Sequence, residues 1–445
     1  LLMGMLLPLI AAIRPIWRTT RITVRETLTD YGTATAAFGS TRLENWLNRI
    51  QGINSSVLLA FRNTFRRRSR LILSLSLLGA AGAMFMTGIN TSSGWDNYIR
   101  LAAADRHYDL EIRFNTPQSV ESITHLLDGV EGVEKVESWD MTPAAIVRPD
   151  GLDIVRTYPD GGHGSFTLRS VPIGSTFINT PMLSGRWLQA GDANHVVLNQ
   201  NALALFPEAA VGSTVDLLIE GQPISLEVVG VLRQILSPAA AYVTPETFAA
   251  AAQLAPMMTN AVRIAMTAND PDFTTATSER IEHALSVAQV SVRAAVSEAL
   301  LDDATSGHVF VFIVALLLIA FVMAIVGLLG LTSSMSTSVI ERTREFGIMR
   351  SIGARSRMVL INVISEGVLI GVLSYAIALL LSLPLSLGLG AYLGNMSFRS
   401  PVPLTISPLG LILWLAILLI GATAASAFPA RQAAALTVRE TLAYV

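Results

Sequence analysis

The sequence predicts an α-helical transmembrane bundle, four complete spans plus the end of a preceding one, joined to a large α+β extracytoplasmic domain. Three observations carry that prediction. Hydrophobic residues make up 51% of the 445 residues and charged residues only 14%, against about 25% charged in an average soluble chain. Charge is also divided by position: residues 91–307 hold 12 basic and 26 acidic residues, whereas the remainder holds 19 basic and 7 acidic. Such asymmetry is the footprint of a membrane protein with different surroundings on its two sides. Finally, two-residue alternation of apolar and polar side chains, the mark of strands, is concentrated in that acidic segment.

Four apolar runs supply the spans: Leu71–Ile89, Val309–Leu331, Val368 to about Leu389 with Pro384 inside it, and Leu409–Phe428. A helix needs roughly 20 apolar residues to cross about 30 Å of hydrocarbon, and neighbouring helices can satisfy the carbonyl that a proline frees. Arg62, Arg66, Arg67, Arg68 and Arg70 precede the first run. Arg342, Arg344, Arg350, Arg355 and Arg357 separate the second from the third, and Arg431 and Arg439 follow the fourth. All three clusters fall on one side, which the positive-inside rule makes cytoplasmic. Residues 91–307 then lie outside, as does the short loop NMSFRSPVPLTISP. The expectation is a multi-pass protein of the plasma (inner) membrane.

An internal repeat shapes the domain plan. TVRETL stands at Thr23–Leu28, eight residues after Pro15, and again at Thr437–Leu442, eight residues after Pro429. Each copy follows an apolar run, and the first run, Leu1–Ile13, is too short to span alone. Residues 1–32 therefore read as the end of a preceding repeat, a partial span and cytoplasmic tail. After them come a cytoplasmic linker and amphipathic helix (33–70), span 1 (71–90), the outside domain (91–307), and a second membrane domain with three spans (308–445).

Within the outside segment, HYDLEIRF sets Tyr108, Leu110, Ile112 and Phe114 against Asp109, Glu111 and Arg113, the pattern of a half-buried strand. A helix bearing Val120, Ile123 and Leu127 and a second strand, VEKVESWD, follow. The same order returns with Val262, Ile264 and Met266, then Phe273, Ile281 and Leu285, then Val290, Val292, Ala294 and Val296. Two strand–helix–strand units thus flank a β-rich middle block that includes VGSTVDLLIEG and ISLEVVGVL.

Composition also excludes chemistry. The chain has no cysteine, so disulfides, thiol redox steps and thiolate-ligated zinc are absent. Its six histidines (His107, His125, His163, His195, His283 and His308) show no metal-ligand spacing, and GGHG at 161–164 reads as a flexible turn. Acidic residues are scattered, which suits a solvated surface. No metal site and no catalytic residue is expected; the chain does not read as an enzyme.

One stretch resists a purely membrane reading. Between the second and third runs, ERTREFGIMRSIGARSRM places seven charges within eighteen residues. Glu341–Arg344 and Arg342–Glu345 are i,i+3 pairs that favour a helix modestly. Phe346, Met349 and Ile352 fall on one stripe, and Gly353 suits a helix end. The residues describe a short amphipathic helix held by a span at each end. Its apolar ridge rests either on the lipid interface or on a protein partner. Glu366, in the next span, either snorkels to the interface or pairs with the arginines of this helix.

Residues Val309–Val445 resemble the FtsX-like permease domain. The resemblance rests on the motif running through Glu341, Arg342, Thr343, Arg344, Glu345, Phe346, Gly347, Ile348, Met349, Arg350, Ser351, Ile352, Gly353 and Ala354, on Glu366, and on the PAR…TVRETL tail. Residues 91–300 resemble the periplasmic core domain of MacB-type ABC transporters at GRWLQAGDANHVVLNQNAL, VGSTVDLLIEG and EVVGVL. SSVLLAFRNTFRRRSR is similar to that family's elbow helix before its first span, with Arg62, Arg66 and Arg70 on one stripe.

The resemblance implies that residues 341–354 are the coupling helix that docks on a dimeric ABC ATPase. It implies a permease subunit that turns ATP hydrolysis into movement of the outside domain, to export or extract a lipoprotein, lipid, peptide or drug. The chain departs from MacB in one respect. A phosphate-binding loop needs the lysine of G-x-x-x-x-G-K-[ST], and the sole lysine here, Lys135, sits in VEKVES. ATP and Mg are therefore expected on a partner ATPase, which is either a separate chain or sequence upstream of Leu1, and no cofactor on this chain. A second FtsX-like repeat or a homodimer mate, membrane lipid and an extracytoplasmic protein complete the expected partners; nucleic acid is not among them. Two rival readings stay open at this point: a signalling permease that regulates a cell-wall hydrolase, and a non-transporting receptor or scaffold.

Overall fold

The computed structural model describes residues 64, 65, 68–147 and 166–435. The preceding-repeat segment 1–32, the linker and most of the elbow helix including Arg62 and Arg66, the GGHG turn and the second TVRETL copy lie outside the described residues.

Apolar composition with no proline to interrupt it makes α1 (Arg68–Ala104) one long helix. It carries the run Leu71–Ile89 and continues a further fifteen residues to Ala104. The chain then builds β1 (Leu110–Ser119), α2 (Val120–Asp128) and β2 (Val133–Ser138). Ser119 caps α2 by accepting a hydrogen bond from the Ser122 amide. The expected strand began at His107, but His107 and its neighbour Arg106 bond instead to the 176–178 segment of the middle block, which delays β1 to Leu110.

The middle block contains β3 (Met141–Ile146), β4 (Thr167–Ser170), β5 (Met182–Gly185), β6 (His195–Asn199), the single turn α3 (Gln200–Leu203), β7 (Thr214–Ile219), β8 (Gln222–Leu232), β9 (Ala240–Val243) and α4 (Pro245–Ala251). The strands run β5-β8-β6-β9-β4-β3-β7, and β7 also pairs with β8. That last pairing closes a six-stranded ring around Leu168, Val196, Leu198, Leu217, Leu226 and Val228, all with no exposed surface. Closure removes free sheet edges. Gly185 adopts φ +71°, and a Cβ there would lie 2.2 Å from the Val229 carbonyl oxygen, so only glycine fits beside β8.

Next come β10 (Met258–Met266), α5 (Pro271–Val287) and β11 (Val292–Ser297). Asp270 caps α5 through the Phe273 amide, with Pro271 in the first turn. These strands join the first unit in an antiparallel sheet of order β11-β1-β10-β2. On one face Leu110, Ile112 and Ile264 pack against Ile123, Leu127 and Ile281 of the two helices. The other face is not solvated, contrary to the half-buried pattern expected for β1. Glu111 and Arg263 are 3% and 2% exposed there, because the ring of strands covers them and their charges compensate one another.

The chain returns through α6 (Glu298–Glu341), α7 (Thr343–Ser351), α8 (Ser356–Phe398) and α9 (Pro408–Ala435). Four described helices are long and apolar enough to cross a membrane: Ser69–Ala104, Leu301–Glu341, Ser356–Met396 and Pro408–Ala435. Helix α1 is the most enclosed of them and packs on the other three, with Leu78, Met86, Leu331, Ile370 and Trp414 at the centre. Gly82 allows a close approach, since a Cβ there would lie 2.1 Å from Trp414 Nε1; small residues at helix crossings do this generally. Large apolar side chains on α6, among them Phe310, Leu318, Phe321 and Leu329, are exposed, as a lipid-facing surface requires. Pro384 sits inside an unbroken α8, which ends where Arg399 turns left-handed ahead of Pro401.

One buried polar link escaped the reading of the spans. Asn90 of α1 is 3% exposed; its Oδ1 accepts from the Ser407 amide at 3.0 Å and its Nδ2 donates to Ser386 Oγ at 3.2 Å. It ties α1 to α8 and to the start of α9.

Candidate functional site

The charged stretch between the second and third long helices forms α7 at the end of the bundle remote from the α+β domain. Arg342, at φ −110° and ψ 13°, breaks helical geometry between α6 and α7. Gly353, at φ +102°, ends the element, with its amide donating to the Arg350 carbonyl, and Arg355 then leads into α8. Within this frame the 341–354 stretch is a nine-residue helix with the tail of α6 before it and a tight turn after it.

The apolar ridge does not face outward. Phe346 is 1% exposed, packed among Val339 of α6, Val359 and Val363 of α8, and Ala430 and Ala433 of α9; Met349 rests on the same cluster. Ile352, placed on the same stripe by the sequence, is 82% exposed, with Ile348 beside it at 45%. The expected ridge Phe346–Met349–Ile352 is therefore split. The bundle end needs an apolar plug and takes the first two residues, while a helical repeat of 3.6 carries Ile352 round to the free face. That face presents Arg344, Glu345, Ile348, Ser351 and Ile352, all exposed. Thr343 is tied back by its hydroxyl to the Ile340 carbonyl, Gly347 is buried beside Phe346, and Ala354 donates its amide to the Met349 carbonyl.

Charge fixes the helix to its neighbours. Arg342 Nη1 lies 3.1 Å from Glu366 Oε2 of α8, and its Nε lies 2.9 Å from Glu345 Oε2. The guanidinium also stands 5.0 Å from the centre of the Phe346 ring. Glu366 is 5% exposed. Of its two sequence readings, the structure shows the ion pair with Arg342 and not the snorkelling side chain. Glu341, at the end of α6, meets Arg70 of α1 at 3.1 Å, and Arg350 Nη1 reaches the Ala434 carbonyl of α9 at 3.4 Å. Arg342–Glu345 is one of the two i,i+3 pairs foreseen; Arg70 as a partner of Glu341 was not foreseen, because nothing local in sequence brings residues 70 and 341 together. All four long helices thus converge on this segment. Among the described residues no group of three or more His, Asp or Glu side chains could hold a metal ion.

These features define a class: a polytopic membrane protein whose helix bundle is closed at one end by a short charged helix and at the other by a two-lobed α+β domain. Comparison with known proteins finds a similarity in its C-terminal part. Residues 317–438 match the family model described as FtsX-like permease C-terminal. The macrolide export ATP-binding/permease protein MacB of Escherichia coli (strain K12) is 34% identical over 128 residues, 29% of this chain and 19% of that protein. MacB 1 of Yersinia pseudotuberculosis serotype I (strain IP32953) is 36% identical over 86 residues, 19% of this chain and 13% of the relative. The matched stretch thus spans at most about a fifth of these relatives. Two solved structures are also similar, each with a TM-score of 0.29. The extracellular domain of the noncanonic ABC-type transporter YknZ from Gram-positive bacteria shares 16% identity, covering 42% of this chain and 98% of its own. The periplasmic region of MacB from Actinobacillus actinomycetemcomitans shares 13%, covering 46% and 93%.

Proposed function

We propose that this chain is the permease part of an ABC transporter of the FtsX/MacB type, and that α7 is where an ATPase partner docks. The observation that carries the reading is the build of α7: Phe346, Arg342 and Arg350 anchor it to the bundle, while Ile348 and Ile352 stay exposed among charges. An exposed apolar pair rimmed by charges on an anchored helix suits a protein interface. The FtsX-like match includes this helix. ATP and Mg would be bound outside these 445 residues, since their only lysine, Lys135, lies in β2, 2.6 Å from Glu137, and in no phosphate-binding loop. Closure of the ATPase would push α7, and with it the converging helix ends. Helices α1 and α6 run without a break into the α+β domain and would transmit the movement to it as rigid rods. The charge split supports placing that domain outside the cytoplasm.

Two experiments test the reading separately from folding. Ile352→Asp on the free face should leave the protein inserted and folded but abolish stimulation of the partner's ATPase activity; undiminished stimulation would remove α7 from the interface. For sidedness, cysteines at the exposed positions Glu246 and Arg355 enter a chain with none of its own. In spheroplasts, an impermeant thiol reagent should label the first and spare the second; the opposite result inverts the topology.

A further inference from the structure

Where the α+β domain meets the outer ends of the long helices there is a cavity of about 540 Å³, within the usual range for small-molecule sites. Its two ends differ in chemistry. One end is apolar: Trp95 of α1, Ile235 and Leu236 of the β8–β9 loop, Leu301 and Val309 of α6, and Phe398 at the end of α8. The other end is cationic. Arg113, Arg169 and Arg263 all converge on one carboxylate, Glu111, at 2.7, 2.8 and 3.0 Å. Arg106, nearby, is held by Glu298 and Asp302. The lining as a whole sets four arginines against three carboxylates, with His308 beside them.

Three guanidiniums thus share one carboxylate, and the lining as a whole holds one more arginine than carboxylates. Burial alone would raise the Glu111 carboxyl, yet Arg169, Arg263 and Arg113 carry it well below the ordinary carboxylate range, so that charge is fully spent. Arg263 lies between the rings of Tyr108 and Trp139, 4.1 Å from each centre, which softens its burial. Its Nη1 still has no hydrogen-bond partner, nor has Arg106 Nε. A buried donor left without an acceptor is costly, and guanidinium donors match carboxylate and phosphate geometry.

We propose that this cavity binds an amphipathic anion, its carboxylate or phosphate head among Arg113, Arg169 and Arg263 and its alkyl tail along Trp95, Leu236 and Phe398. The apolar end lies at the outer ends of α1, α6 and α8, so a ligand could pass from the outer leaflet without crossing water. The site rests on the membrane placement proposed above but not on ATP coupling, and binding without nucleotide tests it apart from that coupling.

The test uses the full chain in zwitterionic phosphatidylcholine nanodiscs at pH 8, with 12-bromododecanoate as ligand and bromine quenching of tryptophan fluorescence as readout. The site predicts a saturable component that disappears in Trp95→Phe. Half-saturation should be at least tenfold weaker for 12-bromododecan-1-ol, which has the tail without the charge, and for Arg169→Gln or Arg113→Gln. If the arginine variants do not fold, the comparison of acid with alcohol on the unmodified chain still decides. Equal quenching by acid and alcohol, or a saturable component that survives Trp95→Phe, overturns the proposal. Protection by inorganic phosphate with no saturable response to the acid would make the cavity a site for a free anion and overturn the amphipathic assignment.

Discussion

The pair Arg342–Glu366 should hold α7 to the bundle, and its strength can be worked from the geometry. At 3.1 Å and an effective dielectric of about 20, two unit charges attract by about 5 kcal/mol. Desolvation of the two side chains, 12% and 6% exposed, offsets much of this. Removing one partner of a buried pair costs about 3–5 kcal/mol, because the other is left buried and unpaired. Arg342 keeps Glu345 as a second partner, itself 48% exposed, so Glu366→Gln belongs at the lower end, about 3 kcal/mol. That loss acts on local opening of α7 rather than on global unfolding. Since about 1.4 kcal/mol is tenfold, amide hydrogen exchange across Thr343–Ser351 should accelerate by about two orders of magnitude in Glu366→Gln. Exchange in the closed ring of β4, β6 and β9 should not change and serves as an internal reference. A double-mutant cycle with Arg342→Met and Glu366→Leu should give a coupling of about 1–3 kcal/mol. Unchanged protection of α7 in Glu366→Gln would refute the latch.

Phe346→Ala should open the same end by about 3–5 kcal/mol in hydrogen exchange, whereas Ile352→Ala, on an exposed position, should change protection by less than about 0.5 kcal/mol; similar effects would restore the outward ridge. Gly82→Leu must displace Trp414, against which even a Cβ would clash, and should destabilise the bundle by about 1–3 kcal/mol, read as a lower midpoint of thermal unfolding in micelles. The pH dependence of the outside domain should carry two opposed signatures. Glu111 is held below its ordinary value, so its stabilisation is complete above about pH 4.5 and fades as pH falls through the depressed value. Burial raises Asp140, so its protonation favours the fold as pH falls through the raised value toward 3.8. Glu111→Gln should remove the loss at low pH and keep the gain; an unaltered profile would contradict the buried cluster.

The apolar runs were legible because membrane spans are set by composition over about 20 residues. Strand periodicity was legible where one face meets a core, as for Val262, Ile264 and Met266 of β10. Sequence reasoning failed where a second surface covers a polar face. Glu111 and Arg113 read as the solvent side of β1, and only the fold reveals the ring of strands above them. A buried ionic face and a solvated one have the same alternation. At α7 the residue types pointed to a short amphipathic helix, but the orientation of its apolar stripe depended on which helix ends form the bottom of the bundle, and periodicity cannot rank Phe346 against Ile352. Asn90 was missed because one amide in an apolar run gives no local sign that it serves the Ser407 amide over three hundred residues away.

The central claim is that the free face of α7 meets an ATPase. A photo-crosslinking amino acid placed at Ile352, in native membranes, tests it most directly, with Phe346 as the buried control site. The account predicts an adduct from position 352 alone, whose mass-spectrometric sequence contains a phosphate-binding loop of the form G-x-x-x-x-G-K-[ST]. Adducts to lipid only, or to the bundle only, would contradict it and leave α7 as an interfacial helix with no partner.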